Sequence, residues 1–253
     1  MALSTQRGVS LTELMIALAI GSFVMTGMYE AMIQQRQAAT RQEQTTEARQ
    51  VARVTMDAVI EELRDAGFDP GGLAGAGILE ATATRFRFTR DLNCNGTLAR
   101  SNAVTPAKGV ADTNAEDIAY IFNRFEQELG RQVYADKAAV GRPQPVASNI
   151  LQFRFCYLLD RDLQNNPPGP CTSTPADADF PRIRGVQVTL TARAAAPDAS
   201  YIDRDTNQHP AFEHYRKATL TSVIRLRNLG LNLGQTPTSP PKIVDFAETC
   251  ALP

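Results

Sequence analysis

Glu13 is a lone carboxylate near the start of an apolar stretch, and it is the residue of this sequence with the clearest chemical role. The stretch opens with Leu11-Thr12-Glu13-Leu14-Met15, and no further charged residue follows until Glu30. A carboxylate in hydrocarbon costs roughly 2.5–3.5 kcal/mol or more, so it is rarely retained without a partner. The chemistry expected of Glu13 is therefore an ion pair with a cation in a place where water is scarce.

A short polar leader precedes the apolar stretch and ends in Arg7-Gly8-Val9. An ordinary secretory signal would have a shorter apolar core followed by a small-residue cleavage site. Here the apolar run continues into helical sequence, and Ala17-Leu18-Ala19 lies inside it. A plain membrane anchor is the stronger alternative, because 9–29 is close to the roughly 20 residues that a membrane helix needs. A plain anchor explains neither Arg7-Gly8 nor Glu13.

The run Gln6-Arg7-Gly8-Val9-Ser10-Leu11-Thr12-Glu13 resembles the class III signal of type IV prepilins and pseudopilins. The resemblance implies that a prepilin peptidase recognises Arg7 and Gly8, cuts before Val9 and methylates the new N-terminus at Val9. The family usually has Phe at the position of Val9. Glu13 matches the glutamate at the fifth mature position, and the resemblance implies that it pairs with the N-terminal amine of a neighbouring subunit during assembly.

One long helix is predicted from about Val9 to Ala66. The segment from Ala31 to Ala66 contains neither Pro nor Gly, and it is rich in good helix formers. An apolar stripe recurs at helical spacing in its second half, at Ala52, Met56, Val59, Leu63 and Ala66. Gly67 and Pro70 then end the helix. A coiled-coil stalk is the alternative, but the heptad is not sustained through the polar middle.

Beyond the helix the apolar pattern changes to alternation, which predicts strands. The predicted strands are 85–88, two strands within 117–134 joined at Leu129-Gly130, 150–159, 183–194 and 219–229. Strands in series without long intervening helices favour an antiparallel sheet, and the apolar stripe of the helix needs such a partner. The predicted fold class is α+β: a long N-terminal α-helix, membrane-spanning in its first half, packed on an antiparallel β-sheet in a roll like that of pilins.

Three later segments are similar to the PilW group of minor pilins, and the related J-type pseudopilins of type II secretion share this plan. They are Arg64-Asp65-Ala66-Gly67-Phe68, Ile183-Arg184-Gly185-Val186 with Leu190-Thr191-Ala192-Arg193, and Arg225-Leu226-Arg227-Asn228-Leu229.

The four cysteines are Cys94, Cys156, Cys171 and Cys250. None forms a C-x-x-C pair, so a zinc ribbon is not predicted. The prepilin-like signal would send the domain outside the cytoplasm, where disulfides persist. The turn-rich stretch 165–170 favours a Cys156–Cys171 bridge, which leaves Cys94–Cys250. Four cysteines allow three connectivities, and four buried free thiols are the alternative.

Length and charge set limits on the function. The 253 residues can bury a substantial core, and the net charge of −1 gives no drive toward nucleic acid. We expect a leader peptide at 1–8, a transmembrane or filament-core helix at 9–30, its amphipathic continuation at 31–68 and a β-rich globular domain outside the cytoplasm at 69–253.

No nucleotide-binding loop, H-E-x-x-H motif or G-x-S-x-G elbow is present, so neither an enzyme nor a cofactor is predicted. The two histidines, His209 and His214, flank Pro210 and are interpreted as surface residues.

Two acidic clusters resemble the opening of a calcium loop without completing it. Asp91, Asn93, Asn95 and Gly96 have the alternating spacing, but Asn102 stands where the bidentate Glu belongs. The second cluster is Asp203, Asp205 and Asn207, and it lacks the Gly. Asp and Asn before Gly are also turn formers, and no metal site is predicted.

The sequence thus predicts a structural protein, a minor type IV pilin that primes assembly and sits at or near the pilus tip. Its expected partners are the prepilin peptidase, other minor pilins, the major pilin and a large tip adhesin. It would lie first in the bacterial inner membrane with its domain outside the cytoplasm, then in the filament. A J-type pseudopilin is the alternative. A ligand-binding tip module for DNA or a surface is a third hypothesis, based on a patch of Lys217, Arg225 and Arg227.

Overall fold

The structure is a computed structural model that describes residues 10–92, 94, 96–98, 115–135, 138–160, 170–203 and 213–229. Its first element is the helix α1, Leu11–Arg64, of 54 residues. At 1.5 Å per residue this helix is about 80 Å long. Ser10 precedes it in an extended conformation, and Gly67 follows it at φ 75°. The predicted long helix is confirmed, and it ends two residues before the predicted Ala66.

The larger sheet has six antiparallel strands. They are β1 Ile78–Ala81, β2 Arg85–Thr89, β3 Asp117–Asn123, β4 Glu128–Ala135, β5 Ala138–Ala139 and β6 Gln144–Ala147. The order is β1-β2-β3-β4-β5, and β6 also pairs with β4.

The smaller sheet has three antiparallel strands in the order β7-β8-β9. They are β7 Ile150–Leu159, β8 Ile183–Arg193 and β9 Lys217–Arg225. A short 3-10 helix, Asp177–Arg182, precedes β8. The second half of α1 contacts β8 and β9, and also touches β6. The predicted α+β class is confirmed, with the antiparallel strands divided between two sheets.

The core lies between α1 and the inner faces of both sheets. The predicted apolar stripe is buried in full, at Ala52, Met56, Val59 and Leu63 of α1 and at Ala66 just after the helix. Aromatic rings join the two sheets: the Phe86 ring lies 5.6 Å from that of Phe155 and 5.5 Å from that of Tyr157. Burying one such side chain contributes roughly 1.5–3 kcal/mol to folding. The buried Tyr157 hydroxyl donates to the Thr82 carbonyl at 2.8 Å, so its polar end is satisfied.

The turn predicted at Leu129-Gly130 is wrong. Both residues lie inside β4, and the turn occupies Arg124–Gln127, where Gln127 has φ 54°. Asn123 Oδ1 accepts the N–H of Phe125 at 3.0 Å, which is the turn chemistry of Asn. Gly130 has a packing reason instead, because a Cβ there would lie 2.8 Å from Pro143 Cβ.

Cys156 and Cys171 form a disulfide in the structure, the pair that the turn-rich stretch between them favoured. Beside it, Tyr157 and Thr172 exchange backbone hydrogen bonds of 2.6 and 2.9 Å. Cys94 is disulfide-bonded too. Cys250 lies outside the described residues, so the Cys94–Cys250 pairing stays a prediction.

Candidate membrane and assembly segment

The first half of α1 is an apolar rod without a covering domain. Its large side chains are half or more exposed from Leu11 to Met32. The helix is long and apolar enough to cross a membrane by length and composition. Its polar side chains are satisfied within the helix: Ser22 Oγ donates to the Ala19 carbonyl and Thr26 Oγ1 to the Ser22 carbonyl, both at 2.8 Å. The segment therefore presents little besides hydrocarbon to its surroundings.

Glu13 lies in the first turn of this rod. The Ser10 backbone N–H donates to Glu13 Oε2 at 3.2 Å, and Ser10 Oγ is 2.8 Å from Thr12 Oγ1. The first N–H groups of a helix have no intrahelical partner and carry its positive end, so a carboxylate is favoured there. The structure thus holds the Glu13 carboxylate at the backbone that follows Val9. Arg7, Gly8 and Val9 lie outside the described residues, so their roles stay predictions.

A network of charged side chains fixes the far end of α1 to the larger sheet. Glu62 accepts hydrogen bonds from the Tyr120 hydroxyl at 2.6 Å and from Arg131 Nε at 2.9 Å. The buried Arg90 guanidinium contacts Glu62 at 3.2 Å and Asp65 at 3.1 Å. These contacts fix the C-terminal end of α1 against the larger sheet. The sequence contained no local signal for them.

The electrostatics of Glu62 follow from these partners. Burial alone would raise the pKa of Glu62, but the hydrogen bonds from Arg131 and Tyr120 and the charges of Arg131 and Arg90 lower this pKa overall. Burial, together with the neighbouring Glu62 charge, raises the pKa of Tyr120 far above its ordinary value. Glu62 is therefore a carboxylate held between two guanidinium groups, with a tyrosine that stays a hydrogen-bond donor.

The two acidic clusters are used by the fold where they are described. Asp91 is buried, and its Oδ2 accepts the Gly96 N–H at 3.0 Å, as in a turn. Asp203 Oδ2 is 2.6 Å from Lys217 Nζ. The other members, Asn93 and Asn95 in the first cluster and Asp205 and Asn207 in the second, lie outside the described residues, as does Asn102. In the part of the chain that the structure describes, no three metal-ligating side chains come together.

The remaining candidate residues are the histidines and the three cations of the predicted basic patch, and they differ in exposure and in partners. His214 lies at the surface with Nδ1 2.8 Å from the Tyr201 carbonyl oxygen, whereas His209 is outside the described residues. Lys217 is buried and paired with Asp203, while Arg225 and Arg227 are exposed. The patch predicted from these three cations is therefore not formed as expected, because the Lys217 charge is already neutralised.

Comparison with known proteins identifies the N-terminal segment. Residues 3–29 match the family model of the prokaryotic N-terminal methylation motif. No curated protein matches the chain. Among solved structures, the fold is similar to a type IV-like pilin from Thermus thermophilus, with 13% identity, a TM-score of 0.41, and coverage of 72% of this chain and 97% of that one. The match ends within the apolar first half of α1, so the segment that opens the long helix carries a prokaryotic N-terminal methylation motif.

Proposed function

We propose that this chain is a minor type IV pilin that enters the filament through α1 and helps to prime assembly at or near the tip. The observation that carries the proposal is a methylation motif on a helix that is apolar and uncovered in its first half and buried by the domain in its second. An exposed apolar rod of this length is stable only in a bilayer or among other apolar helices. The rod would lie in the inner membrane before assembly, with the domain outside the cytoplasm, and in the filament core afterwards.

The position of Glu13 supports a role in setting the subunit register. Cleavage after Gly8 would create an amine at Val9, next to the Ser10 N–H that already donates to Glu13. The carboxylate and an amine would attract strongly where the dielectric is low, and the pairing would offset the cost of the carboxylate in hydrocarbon. An amine from a neighbouring subunit at this place would fix the axial position of one rod against the next.

The minor-pilin assignment is supported by two of the segments that resemble the PilW group. The segments 64–68 and 225–229 lie far apart in the sequence, yet Leu229 packs on Gly67 and Asn228 bonds to Arg64. Their resemblance therefore concerns one structural unit. The proposed partners are the prepilin peptidase, the other minor pilins and the major pilin, with a large tip adhesin at the end of the filament.

Processing provides the first test. The protein purified from its own host should begin at Val9, whereas Gly8→Val should keep the leader, because a branched side chain obstructs the peptidase at the scissile bond. The matched control is Gly27→Val, which makes the same change in the same helix away from the cut. A mature N-terminus at Met1, or one beyond Ala19, would refute the prepilin assignment.

A deletion strain distinguishes the pilus from the secretion system. Loss of the gene should reduce the number of surface filaments while secretion of folded exoproteins continues, and the wild-type gene should restore the filaments. Failure of secretion with normal filament numbers would instead identify a J-type pseudopilin. Immunogold labelling of sheared filaments should mark their ends, and labelling along the whole shaft would contradict the tip position.

A further inference from the structure

We propose that the outer face of the smaller sheet binds an acidic polysaccharide. This outer face consists of the side chains that point away from α1, chiefly Arg154 on β7, Thr189 and Thr191 on β8, and Thr219, Thr221 and Arg225 on β9. These positions alternate with buried core residues such as Phe153, Phe155 and Leu190, so they form the outer side of the sheet. Thr191 is buried there by its neighbours, whereas the other five side chains reach solvent.

The strand register orders the outer face into rows. Arg154 pairs with Thr189, which pairs with Thr221, and Thr191 pairs with Thr219 in the adjoining row. The hydroxyls within each row lie close together, with 3.2 Å between Thr189 Oγ1 and Thr221 Oγ1 and 2.9 Å between Thr191 Oγ1 and Thr219 Oγ1. The sheet thus presents the hydroxyls of Thr189, Thr219 and Thr221 at its surface, and the buried Thr191 holds Thr219 in place.

The charge of this sheet differs from that of the whole chain. The strands 150–159, 183–193 and 217–225 contain no Asp or Glu, although the chain as a whole has a net charge of −1. Arg154 and Arg225 are exposed, and neither guanidinium has a carboxylate partner among the residues that the structure describes. Both therefore carry a positive charge that the fold itself does not use.

The larger sheet uses its arginines differently. Arg85 lies 2.8 Å from Glu80, and Arg87 lies 2.7 Å from Asp117. Both arginines lie on β2, and each is neutralised by a carboxylate on a neighbouring strand, Glu80 on β1 and Asp117 on β3. Among the arginines that lie within strands, those of the larger sheet are therefore paired, whereas Arg154 and Arg225 of the smaller sheet remain for an external anion.

The chemistry of the face selects the class of ligand. A guanidinium binds a carboxylate through two parallel hydrogen bonds, and a threonine hydroxyl can both donate and accept. A polymer with repeated carboxylates and hydroxyls complements both groups. Single-stranded nucleic acid would need aromatic stacking platforms, but the aromatic residues of β7, Phe153, Phe155 and Tyr157, are buried on the core side.

The spacing of the two arginines also favours an extended chain. Arg154 and Arg225 are separated by two strands and about four residues along them, which gives roughly 17 Å from standard strand spacing. The row of Thr189 and Thr221 lies level with Arg154, and Gln187 and Val223 lie between that row and Arg225. A linear acidic polysaccharide lying across the sheet would contact both arginines and the hydroxyls, whereas a neutral polysaccharide would contact only the hydroxyls.

The test uses the full-length protein in detergent and polygalacturonate as an immobilised probe, with neutral dextran for comparison. The protein should bind polygalacturonate, with weakening at high salt, and should not bind dextran. The double variant Arg154→Gln/Arg225→Gln should lose at least about tenfold in affinity, because each lost charge-assisted bond is worth about a factor of ten. The matched control, Arg124→Gln/Arg142→Gln, removes two exposed arginines outside this sheet and should bind as the wild type does.

The threonines have their own variant. Thr189→Val/Thr221→Val keeps the branched shape and removes two hydroxyls, so the fold should persist while binding weakens several-fold. The proposal is overturned by an absence of binding by the wild type, by equal losses in the two arginine pairs, or by equal binding of dextran. Tighter binding of duplex DNA through the same two arginines would also overturn it, in favour of a phosphate polymer.

Discussion

The side-chain amide of Asn228 donates a 3.0 Å hydrogen bond to the carbonyl oxygen of Arg64, the last residue of α1. The last carbonyls of a helix have no intrahelical partner, so Asn228 satisfies one of them from 164 residues further along the chain. The next residue, Leu229, packs directly on Gly67. The segment after β9 therefore caps the C-terminal end of α1 and helps to fix the direction of this helix relative to the sheets.

Gly67→Ala should destabilise the domain by about 2–4 kcal/mol, from backbone strain and overpacking together. Gly67 has φ 75°, which other residues rarely adopt, and a Cβ there would lie 2.3 Å from Leu229 Cδ2. The measurement is denaturant unfolding of the full-length protein in detergent, followed by near-ultraviolet circular dichroism of the buried tyrosines.

Gly75→Ala is the matched control, because Gly75 has φ 68° but no atom within 4 Å of its Cβ position. It should cost only the backbone part, about 1–2 kcal/mol. Adding Leu229→Ala to Gly67→Ala should relieve the steric part of the loss. Equal costs for Gly67→Ala and Gly75→Ala would show that the contact with Leu229 does not matter.

The parts of the fold that depend on local patterns could be predicted from the sequence. The buried stripe of α1 repeats apolar residues at helical spacing, and β7 and β8 repeat them at every second residue, because one face of each element is buried in the core. The strands β1, β5 and β6 have only four, two and four residues, which is too short for a pattern to be read. The prediction of a turn at Gly130 is wrong because the reason for this glycine, the close approach of Pro143 just before β6, comes from a different part of the chain.

The network at the end of α1 could not be predicted, for a different reason. Glu62 meets Arg90, Tyr120 and Arg131, which lie 28, 58 and 69 residues away in the sequence. A glutamate in an amphipathic helix with an exposed neighbour, Glu61, looks like any solvated residue. Only the packing of β3 and β4 against the helix shows that Glu62 is the paired member.

Glu62→Gln should remove part of the dependence of stability on pH. The folded state lowers the pKa of Glu62 below its ordinary value of 4.5, so its contribution is fully present above that pH and is lost as the pH falls through the lower, folded value. The wild type should therefore lose more stability than Glu62→Gln when acidified below about pH 4.5. At neutral pH the variant should cost about 1–3 kcal/mol, because two guanidinium groups lose a charged acceptor.

Glu61→Gln serves as the control for this experiment. It makes the same substitution at the preceding residue of the same helix, where the side chain is exposed. Its unfolding curves should follow those of the wild type at every pH. If the acid dependence of Glu62→Gln equals that of the wild type, the network does not hold the carboxylate in its charged form.

The Cys156–Cys171 bridge should be detectable by mapping. Digestion without reductant, after alkylation of free thiols, should yield one peptide pair joined through these two residues. Their separation of 15 residues corresponds to about 3 kcal/mol of stabilisation in the loop-entropy model, so Cys156→Ser/Cys171→Ser should unfold at lower denaturant concentration. Alkylation of all four cysteines in the unreduced protein would contradict the bridge, and a different pairing would contradict its connectivity.

Glu13→Gln should reduce incorporation into filaments without affecting cleavage. The substitution keeps the shape and the hydrogen-bonding oxygen of the side chain, so the contact with the Ser10 N–H can persist, but the negative charge is lost. The peptide bond cut by the peptidase precedes the altered residue, so the mature protein should still begin at Val9. An amine in the apolar core of a filament would then lack its counter-charge, and losing one partner of a buried pair costs about 3–5 kcal/mol.

The decisive comparison is the amount of this subunit in sheared filaments at equal membrane levels of wild type, Glu13→Gln and Glu30→Gln. Glu30 is the next carboxylate of the same helix, at the far end of the apolar stretch, so its substitution controls for the loss of one negative charge. We expect a large loss for Glu13→Gln and little change for Glu30→Gln, because only Glu13 lies beside the backbone that follows Val9. Equal amounts of all three would mean that Glu13 does not direct assembly and is only a tolerated polar residue at the end of a membrane anchor.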